Sequence, residues 1–221
     1  MVNAILFDCD GLMFETELIA QYIWRYEAEQ RGISLPGDFF VKITGTSGKK
    51  EDDYLRSLPG VKEAMEEIGK MRFDLDFWRN IHTDCLNKKG LIELYRYLRR
   101  KGYAMAVCSS SGSEYVKTLL STVSIDMKFD AIVGGNMVKH AKPDPEIFLL
   151  GAAACKAKPN ECLVLEDSKW GIIAAAKAGM RSCFIEDTIA PDEEMLQLID
   201  LRADSLLEVI GLLEELEKEG E

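Results

Sequence analysis

An apolar run near the N-terminus ends abruptly in acidic residues. Ala4-Ile5-Leu6-Phe7 is followed at once by Asp8-Cys9-Asp10-Gly11. A short apolar run bounded by turn residues is typical of a strand buried on both faces of a parallel sheet. Ligand sites in such sheets lie at the carboxyl ends of the strands. The pattern therefore places Asp8 and Asp10 where a binding or catalytic site is expected.

The next part of the chain, from about residue 16 to residue 87, has helical spacing with polar breaks and no convincing strand. Its clearest stripe lies between Glu17 and Arg31, and we interpret this stripe as core packing. The apolar and aromatic residues of the stripe are Leu18, Ile19, Tyr22, Ile23 and Tyr26.

From residue 88 onward, helical and strand-like patterns alternate. An amphipathic helix is predicted from Leu91 to Lys101, closed by Gly102, and a last helix from Leu206 to Glu217. The strand-like runs between them are Tyr103 to Cys108, Ala131 to Val133, Cys162 to Leu165 and Ser182 to Ile185.

Repeated strand and helix units predict an α/β fold, a Rossmann-like parallel sheet with helices on both faces. The first strand must join this sheet, because a lone parallel strand has no partner. Residues 1–15 and 88–221 are then expected to form this sheet and its helices, with residues 16–87 as a helical insertion after the first strand.

Composition and charge disfavour some classes of binding partner. The chain has 221 residues, of which 47% are hydrophobic and 29% charged, and its formal net charge is -11. A surface with this charge repels polyanions, so we expect no nucleic-acid partner. No signal peptide or run long enough to cross a bilayer is recognisable, so no membrane partner is expected. The six cysteines show no C-x-x-C pair and no zinc spacing, so buried free thiols and a cytoplasmic location are expected.

The aspartate pair alone leaves three interpretations open. Asp8 and Asp10 could form an ordinary turn with Gly11. They could be oxygen ligands for Mg²⁺ or Ca²⁺. They could also be a nucleophile and a neighbouring acid or base.

Polar groups near three further strand ends help to decide between these interpretations of Asp8 and Asp10. Ser109 follows the second strand, Lys142 precedes Pro143-Asp144-Pro145-Glu146, and Glu166-Asp167-Ser168 follows a later strand. Each has a plain alternative: Ser111, Ser113 or Asp144 could cap a helix, and Lys142 could be a surface lysine. Because parallel strands bring all four ends to one edge, a single site explains them more simply than separate coincidences.

Together these four motifs resemble those of the haloacid dehalogenase superfamily, in the branch of β-phosphoglucomutase and small-molecule phosphatases. The similarity runs from Ile5 to about Met180. It implies that Asp8 attacks phosphorus and that Asp10 is the acid and base. Other roles that the resemblance implies are phosphate binding by Ser109, Ser110 and Lys142, and Mg²⁺ binding by Asp8, the Asp10 carbonyl and Asp167, with Glu166 in or beside the coordination shell.

The resemblance implies a Mg²⁺-dependent phosphatase that hydrolyses a small phosphorylated metabolite, such as a sugar phosphate, through an aspartyl-phosphate. Asp10 disfavours the dehalogenase and phosphonate-hydrolase branches. A hexose-phosphate mutase is an alternative, although Ala20 stands where such mutases typically carry a cap histidine. A non-catalytic binding protein is another.

The resemblance also implies that residues 1–15 and 88–221 form the catalytic core, and that residues 16–87 form a cap entered through a hinge at Glu15 and Thr16. In this cap, Gly45, Thr46, Ser47 and Lys49 resemble a loop that contacts the substrate, with a solvated turn as the plain alternative.

Overall fold

The computed structural model describes residues 1–43, 49–61, 64, 74–80 and 86–219. Within these residues, six strands form one parallel sheet in the order β3-β2-β1-β4-β5-β6. The strands are β1 (Ala4–Phe7), β2 (Ala104–Ser109), β3 (Ala131–Gly134), β4 (Cys162–Glu166), β5 (Arg181–Ile185) and β6 (Leu201–Ala203).

The helices of the described residues confirm the predicted α/β class. They are α1 (Thr16–Gln30), α2 (Phe39–Ile43), α3 (Lys49–Arg56), α4 (Leu75–Asn80), α5 (Leu91–Lys101), α6 (Ser113–Thr122), α7 (Glu146–Ala154), α8 (Lys169–Lys177), α9 (Glu193–Leu196) and α10 (Val209–Glu219). Helix α5 matches its predicted bounds and ends at Gly102, which has the left-handed backbone that glycine adopts without a steric cost.

Strand β1 lies at the centre of the sheet, where it pairs with β2 on one side and β4 on the other. Its four residues are buried and point alternately to the two faces. Ile5 and Phe7 pack in one apolar core, and Ala4 and Leu6 pack in a second core that includes Phe148 of α7. Helices therefore cover both faces, which explains the continuous apolar run.

The helical segment between β1 and β2 packs in two ways. Helices α1, α2 and α3 share an apolar cluster that includes Trp24, Phe39 and Leu55. Helix α4 contacts α6 instead, where the Trp78 and Tyr115 rings meet edge to face with centroids 5.7 Å apart. The segment thus has its own small core and also rests on the sheet domain.

Two short linkers connect this helical segment to the sheet, and they are hydrogen-bonded to each other. Phe14 and Asn87 form an antiparallel bridge. The Glu15 amide donates to the Leu86 carbonyl at 2.8 Å. The linkers therefore form a two-stranded ribbon beside the carboxyl end of β1.

The structure corrects the predicted stripe of α1. Leu18, Tyr22 and Tyr26 are 57%, 69% and 49% exposed, whereas Ile23 is buried as predicted. The buried face also includes Ala20, Trp24 and Ala28. Apolar and aromatic residues lie on more than one side of α1, so their spacing alone does not identify the side that packs.

The C-terminal region also differs from the sequence prediction. Strand β6 was not predicted, because a run of three residues is too short to show a period. The last helix begins at Val209 rather than Leu206. The residues before it form a turn in which the Glu208 amide donates to the Ser205 carbonyl at 3.1 Å.

The described cysteines confirm the expected free thiols. Cys9, Cys108, Cys162 and Cys183 are buried, Cys155 is half-buried, and none of these five forms a disulfide. Cys85 lies outside the described residues. Among the helices that the structure describes, none combines the length and apolar character needed to cross a membrane.

Candidate active site

Asp8 follows β1 directly and continues its hydrogen bonding to β4. Its amide donates to the Leu165 carbonyl at 3.0 Å, and the residue is only 7% exposed. Gly11 then turns the chain with a positive φ of 79°. The Gly11 amide donates to Thr16 Oγ1 at 3.2 Å, so the turn is fixed to the start of α1.

Lys142 is a buried lysine between two carboxylates. Its Nζ lies 2.5 Å from Asp8 Oδ1 and 2.7 Å from Glu166 Oε1. The residue is 8% exposed, and Nζ lies 4.8 Å from the centroid of the Phe148 ring. The plain interpretation of Lys142 as a surface lysine is therefore wrong.

Both oxygens of the Glu166 carboxylate make hydrogen bonds. Oε1 accepts from Lys142, and Oε2 accepts from the amides of Asp167 at 2.8 Å and Ser168 at 2.6 Å. Gly171 packs so closely that a Cβ at this position would overlap the Glu166 side chain. Glu166 therefore fixes both the Lys142 ammonium and the backbone that carries Asp167.

The second aspartate, Asp10, is bound by the last residue of β2 and by the loop that follows it. Asp10 Oδ2 accepts from Ser109 Oγ at 3.1 Å and from Ser111 Oγ at 2.8 Å. Ser109 is fully buried, whereas Ser110 is exposed. Helix α6 begins after Gly112 without a side-chain cap, so the interpretation of Ser111 or Ser113 as its cap is wrong.

The interpretation of Asp144 as the cap of α7 is wrong, because the N-cap position is Pro145 and it has no side-chain cap. Asp144 Oδ1 accepts from the Glu146 amide at 3.0 Å at the start of α7. Among the residues of this motif, Lys142 is thus the one that reaches the carboxylate cluster.

A further carboxylate lies close to Asp167. A Cβ built on Gly11 would overlap the Asp167 carboxylate and would lie 3.0 Å from Asp187 Oδ2. Lys88 Nζ binds Asp187 Oδ1 at 2.6 Å and Glu15 Oε2 at 3.1 Å. Sequence reasoning missed Asp187, although it follows β5 and the rule applied to the other strand ends could have found it.

The buried carboxylates raise one another's pKa. Burial raises the pKa of Asp8 to about 7; Lys142 opposes this rise, and the charges of Glu166 and Asp10 add to it. Burial also raises the pKa of Asp167 well above its usual range, with further contributions from neighbouring carboxylates. Burial alone would lower the pKa of Lys142, but Asp8 and Glu166 outweigh it and raise the pKa.

The donor set fits a hard divalent cation. Asp10 Oδ1 and Asp167 Oδ1 are buried and make no hydrogen bond to any residue that the structure describes. Orphaned buried carboxylate oxygens are costly unless a positive group satisfies them, and Mg²⁺ prefers oxygen ligands of this kind. Lys142 alone cannot neutralise the cluster.

The structure does not test the predicted substrate contacts of the cap residues. Gly45, Thr46 and Ser47 lie outside the described residues, and Lys49 begins α3 without a described side chain. In the same helical segment Trp24 is buried, and its ring centroid lies 5.2 Å from that of Phe39. For Tyr22, by contrast, the exposed side chain shows that the predicted core packing is wrong.

Comparison with known proteins gives a consistent result. A family model described as haloacid dehalogenase-like hydrolase matches residues 2–179. The chain is 27% identical over 184 residues to the phosphorylated carbohydrates phosphatase of Thermotoga maritima, covering 83% of this chain and 84% of that protein. It is 27% identical over 187 residues to the β-phosphoglucomutase of Bacillus subtilis, covering 81% of each.

A solved structure shares the fold. The CbbY protein of Rhodobacter sphaeroides, as a variant in complex with xylulose 1,5-bisphosphate, superposes with a TM-score of 0.75. The match covers 94% of this chain and 96% of that chain at 24% identity. Since the family model spans well over half of the sequence, the chain belongs to the haloacid dehalogenase-like hydrolases.

Proposed function

We propose that this hydrolase is a Mg²⁺-dependent phosphatase that acts on a small phosphorylated metabolite. The observation that carries the proposal is the buried Lys142 ammonium bound to Asp8, with Asp10 two residues further along the same turn. An anionic phosphate ester resists an anionic nucleophile, so positive charge must be held beside the attacking carboxylate. Lys142 supplies one such charge in a buried position.

We assign the cation to the carboxylates of Asp8 and Asp167 and to the backbone carbonyl of Asp10, with Glu166 beside them. When bound, Mg²⁺ would neutralise phosphoryl oxygens and help to hold the ester in line for attack. Because both Glu166 oxygens already accept hydrogen bonds, its contribution in this proposal is to orient Lys142 and the Asp167 backbone.

The reaction then proceeds in two displacements at phosphorus. An oxygen of Asp8 forms a bond to phosphorus while the bond to the alcohol oxygen breaks, and Asp10 gives that oxygen a proton. Asp10 next takes a proton from water, which attacks the aspartyl-phosphate and releases inorganic phosphate and free Asp8. Lys142 and Ser109 would bind phosphoryl oxygens in both displacements, and Ser110 offers a further hydroxyl in the same loop.

The helical segment of residues 16–87 is proposed as a cap over this site, with the sheet domain formed by residues 1–15 and 88–221. Closure of such a segment would exclude bulk water from the phosphoryl group. Gly45, Thr46, Ser47 and Lys49 are proposed as cap positions that contact the substrate. A sugar phosphate is the proposed substrate class, because the Thermotoga maritima relative is named for phosphorylated carbohydrates.

A hexose-phosphate mutase is the second candidate, supported by the similarity to β-phosphoglucomutase. Ala20 counts against it. This residue is buried in α1 at 7% exposure, and a methyl group cannot transfer a proton. Incubation with β-glucose 1-phosphate and catalytic bisphosphate separates the two: we expect free phosphate, and glucose 6-phosphate without phosphate release would establish the mutase.

The proposal is tested with an aryl phosphate and with a panel of sugar phosphates. We expect hydrolysis that needs Mg²⁺, stops with a chelator and disappears in Asp8→Asn. Asp126→Asn removes the same charge from a surface position where the side chain is 79% exposed, and should retain full activity. Activity that persists in chelator or in Asp8→Asn would overturn the mechanism, and inactivity on the whole panel would favour a binding protein.

A further inference from the structure

Asp187 is a buried carboxylate at the same edge of the sheet that the proposed mechanism does not use. It follows β5, and its side chain is 6% exposed. One oxygen, Oδ1, accepts from Lys88. The other, Oδ2, is buried and makes no hydrogen bond to any residue in the described ranges.

The free oxygen of Asp187 lies beside the proposed cation site. Asp187 Oδ2 is 3.0 Å from the position that a Gly11 Cβ would occupy, and the Asp167 carboxylate reaches the same position. The Asp187 charge contributes to the raised pKa of Asp167. Two carboxylates brought this close repel each other unless a positive group lies between them.

Lys88 does not resolve this repulsion. Its Nζ binds Asp187 Oδ1 and also binds Glu15, the residue immediately before α1. These contacts hold the Asp187 side chain in place and leave Oδ2 on the side of Asp167. The arrangement has the features of a carboxylate fixed beside a cation by an outer partner.

We propose that Asp187 is an additional carboxylate of the divalent-cation site, held in position by Lys88. Its Oδ2 contributes to cation binding either as a direct ligand or by accepting a hydrogen bond from a water ligand, and the shared chemistry is an oxygen donor of negative charge. This inference rests on the proposed function, because it presumes that Asp8 and Asp167 bind Mg²⁺.

Titration calorimetry of Mg²⁺ into protein freed of metal by chelation tests the inference without any turnover. We expect Asp187→Asn to raise the Kd for Mg²⁺ by about tenfold or more, the usual effect of removing a partner around a metal site. Glu186→Gln is the matched control: it removes the same charge one residue earlier, where the side chain is 48% exposed, and should change Kd by less than about twofold.

The outcomes separate this inference from the proposed function. If the parent protein binds no Mg²⁺, the proposed cofactor itself is wrong. If the parent binds Mg²⁺ and Asp187→Asn binds it within about twofold of the parent, Asp187 is not part of the site and only this inference fails. Should Asp187→Asn not fold by circular dichroism, Asp187→Ser provides the same loss of charge with a smaller side chain, and the same criterion applies.

Discussion

Gly11 and Asp167 are packed so closely that the hydrogen on the Gly11 Cα cannot be replaced by a methyl group without overlapping the Asp167 carboxylate. Gly11 also has a φ of 79°, which L residues with a side chain rarely adopt. Glycine is thus required at position 11 by the contact with Asp167 as well as by the backbone conformation of its own turn.

The first prediction concerns this contact. Gly11→Ala should displace Asp167 and weaken Mg²⁺ binding by more than about tenfold, the scale of disturbed metal sites. Gly179→Ala is the control, because Gly179 also has a positive φ of 69° but nothing lies within 4 Å of its Cβ position. Both variants carry the backbone strain of about 1 kcal/mol, so calorimetry that showed equal loss of Mg²⁺ affinity in the two would contradict the predicted contact.

The second prediction concerns the buried lysine. Lys142→Met leaves Asp8 and Glu166 without their shared cation, and should lower the free energy of unfolding by about 3 to 5 kcal/mol in urea denaturation. Lys101→Met removes an exposed pair with Glu217 and should have a much smaller effect. Similar losses in the two variants would show that Lys142 does not hold the cluster together.

The third prediction follows from the pKa of Asp8, which burial raises to about 7 in the metal-free protein. The folded state then binds a proton that the unfolded state has already lost above pH 4, so stability falls as pH rises from about 4 to about 7. Asp8→Asn cannot lose that proton. In thermal unfolding without metal, the variant should gain stability relative to the parent across this range, and a constant difference between them would contradict the prediction.

The fourth prediction concerns Ser111, which donates to Asp10 Oδ2. Ser111→Ala removes one of the two hydroxyl donors that position Asp10, and we expect kcat to fall about tenfold, equivalent to about 1.4 kcal/mol. KM and the Kd for Mg²⁺ should stay unchanged, which a general loss of structure would not allow. Ser113→Ala, two residues later at the start of α6, is the control, and an equal fall in kcat there would assign the effect to this part of the chain rather than to Asp10.

Much of the sheet and its edge could be predicted because the signals are local. The apolar run before Asp8 and the alternation after residue 88 identified β1 to β5, and the rule for parallel strands placed Lys142 and Asp167 at the same edge. The contacts of Lys142 could not be read from the sequence, because a buried and an exposed lysine have the same local signal. Lys142 is buried because it contacts both Asp8, which follows β1, and Glu166, which ends β4, and these residues are far apart in the sequence.

The remaining differences have the same origin in tertiary packing. Tyr22 and Ile23 are neighbours on α1, but only Ile23 is buried, because it lies on the face of α1 that packs against α2 and α3. The rule for strand ends could have pointed to Asp187 after β5, but its contacts with Lys88 and Gly11 depend on the folded chain. The proposed roles of Gly45, Thr46 and Ser47 stay predictions, because these residues lie outside the described ranges.

The central position of β1 has a consequence for how the protein is made. Ala4 pairs with Ala104 on one side and with Cys162 on the other. While the chain is being translated, β1 emerges from the ribosome before both of its neighbours, and the second of these, β4, emerges only with Cys162 and the residues after it. Until then the nascent chain exposes an apolar, unpaired strand edge, which is the kind of surface that aggregates or recruits chaperones. A truncated product that ends before β4 would expose that edge permanently.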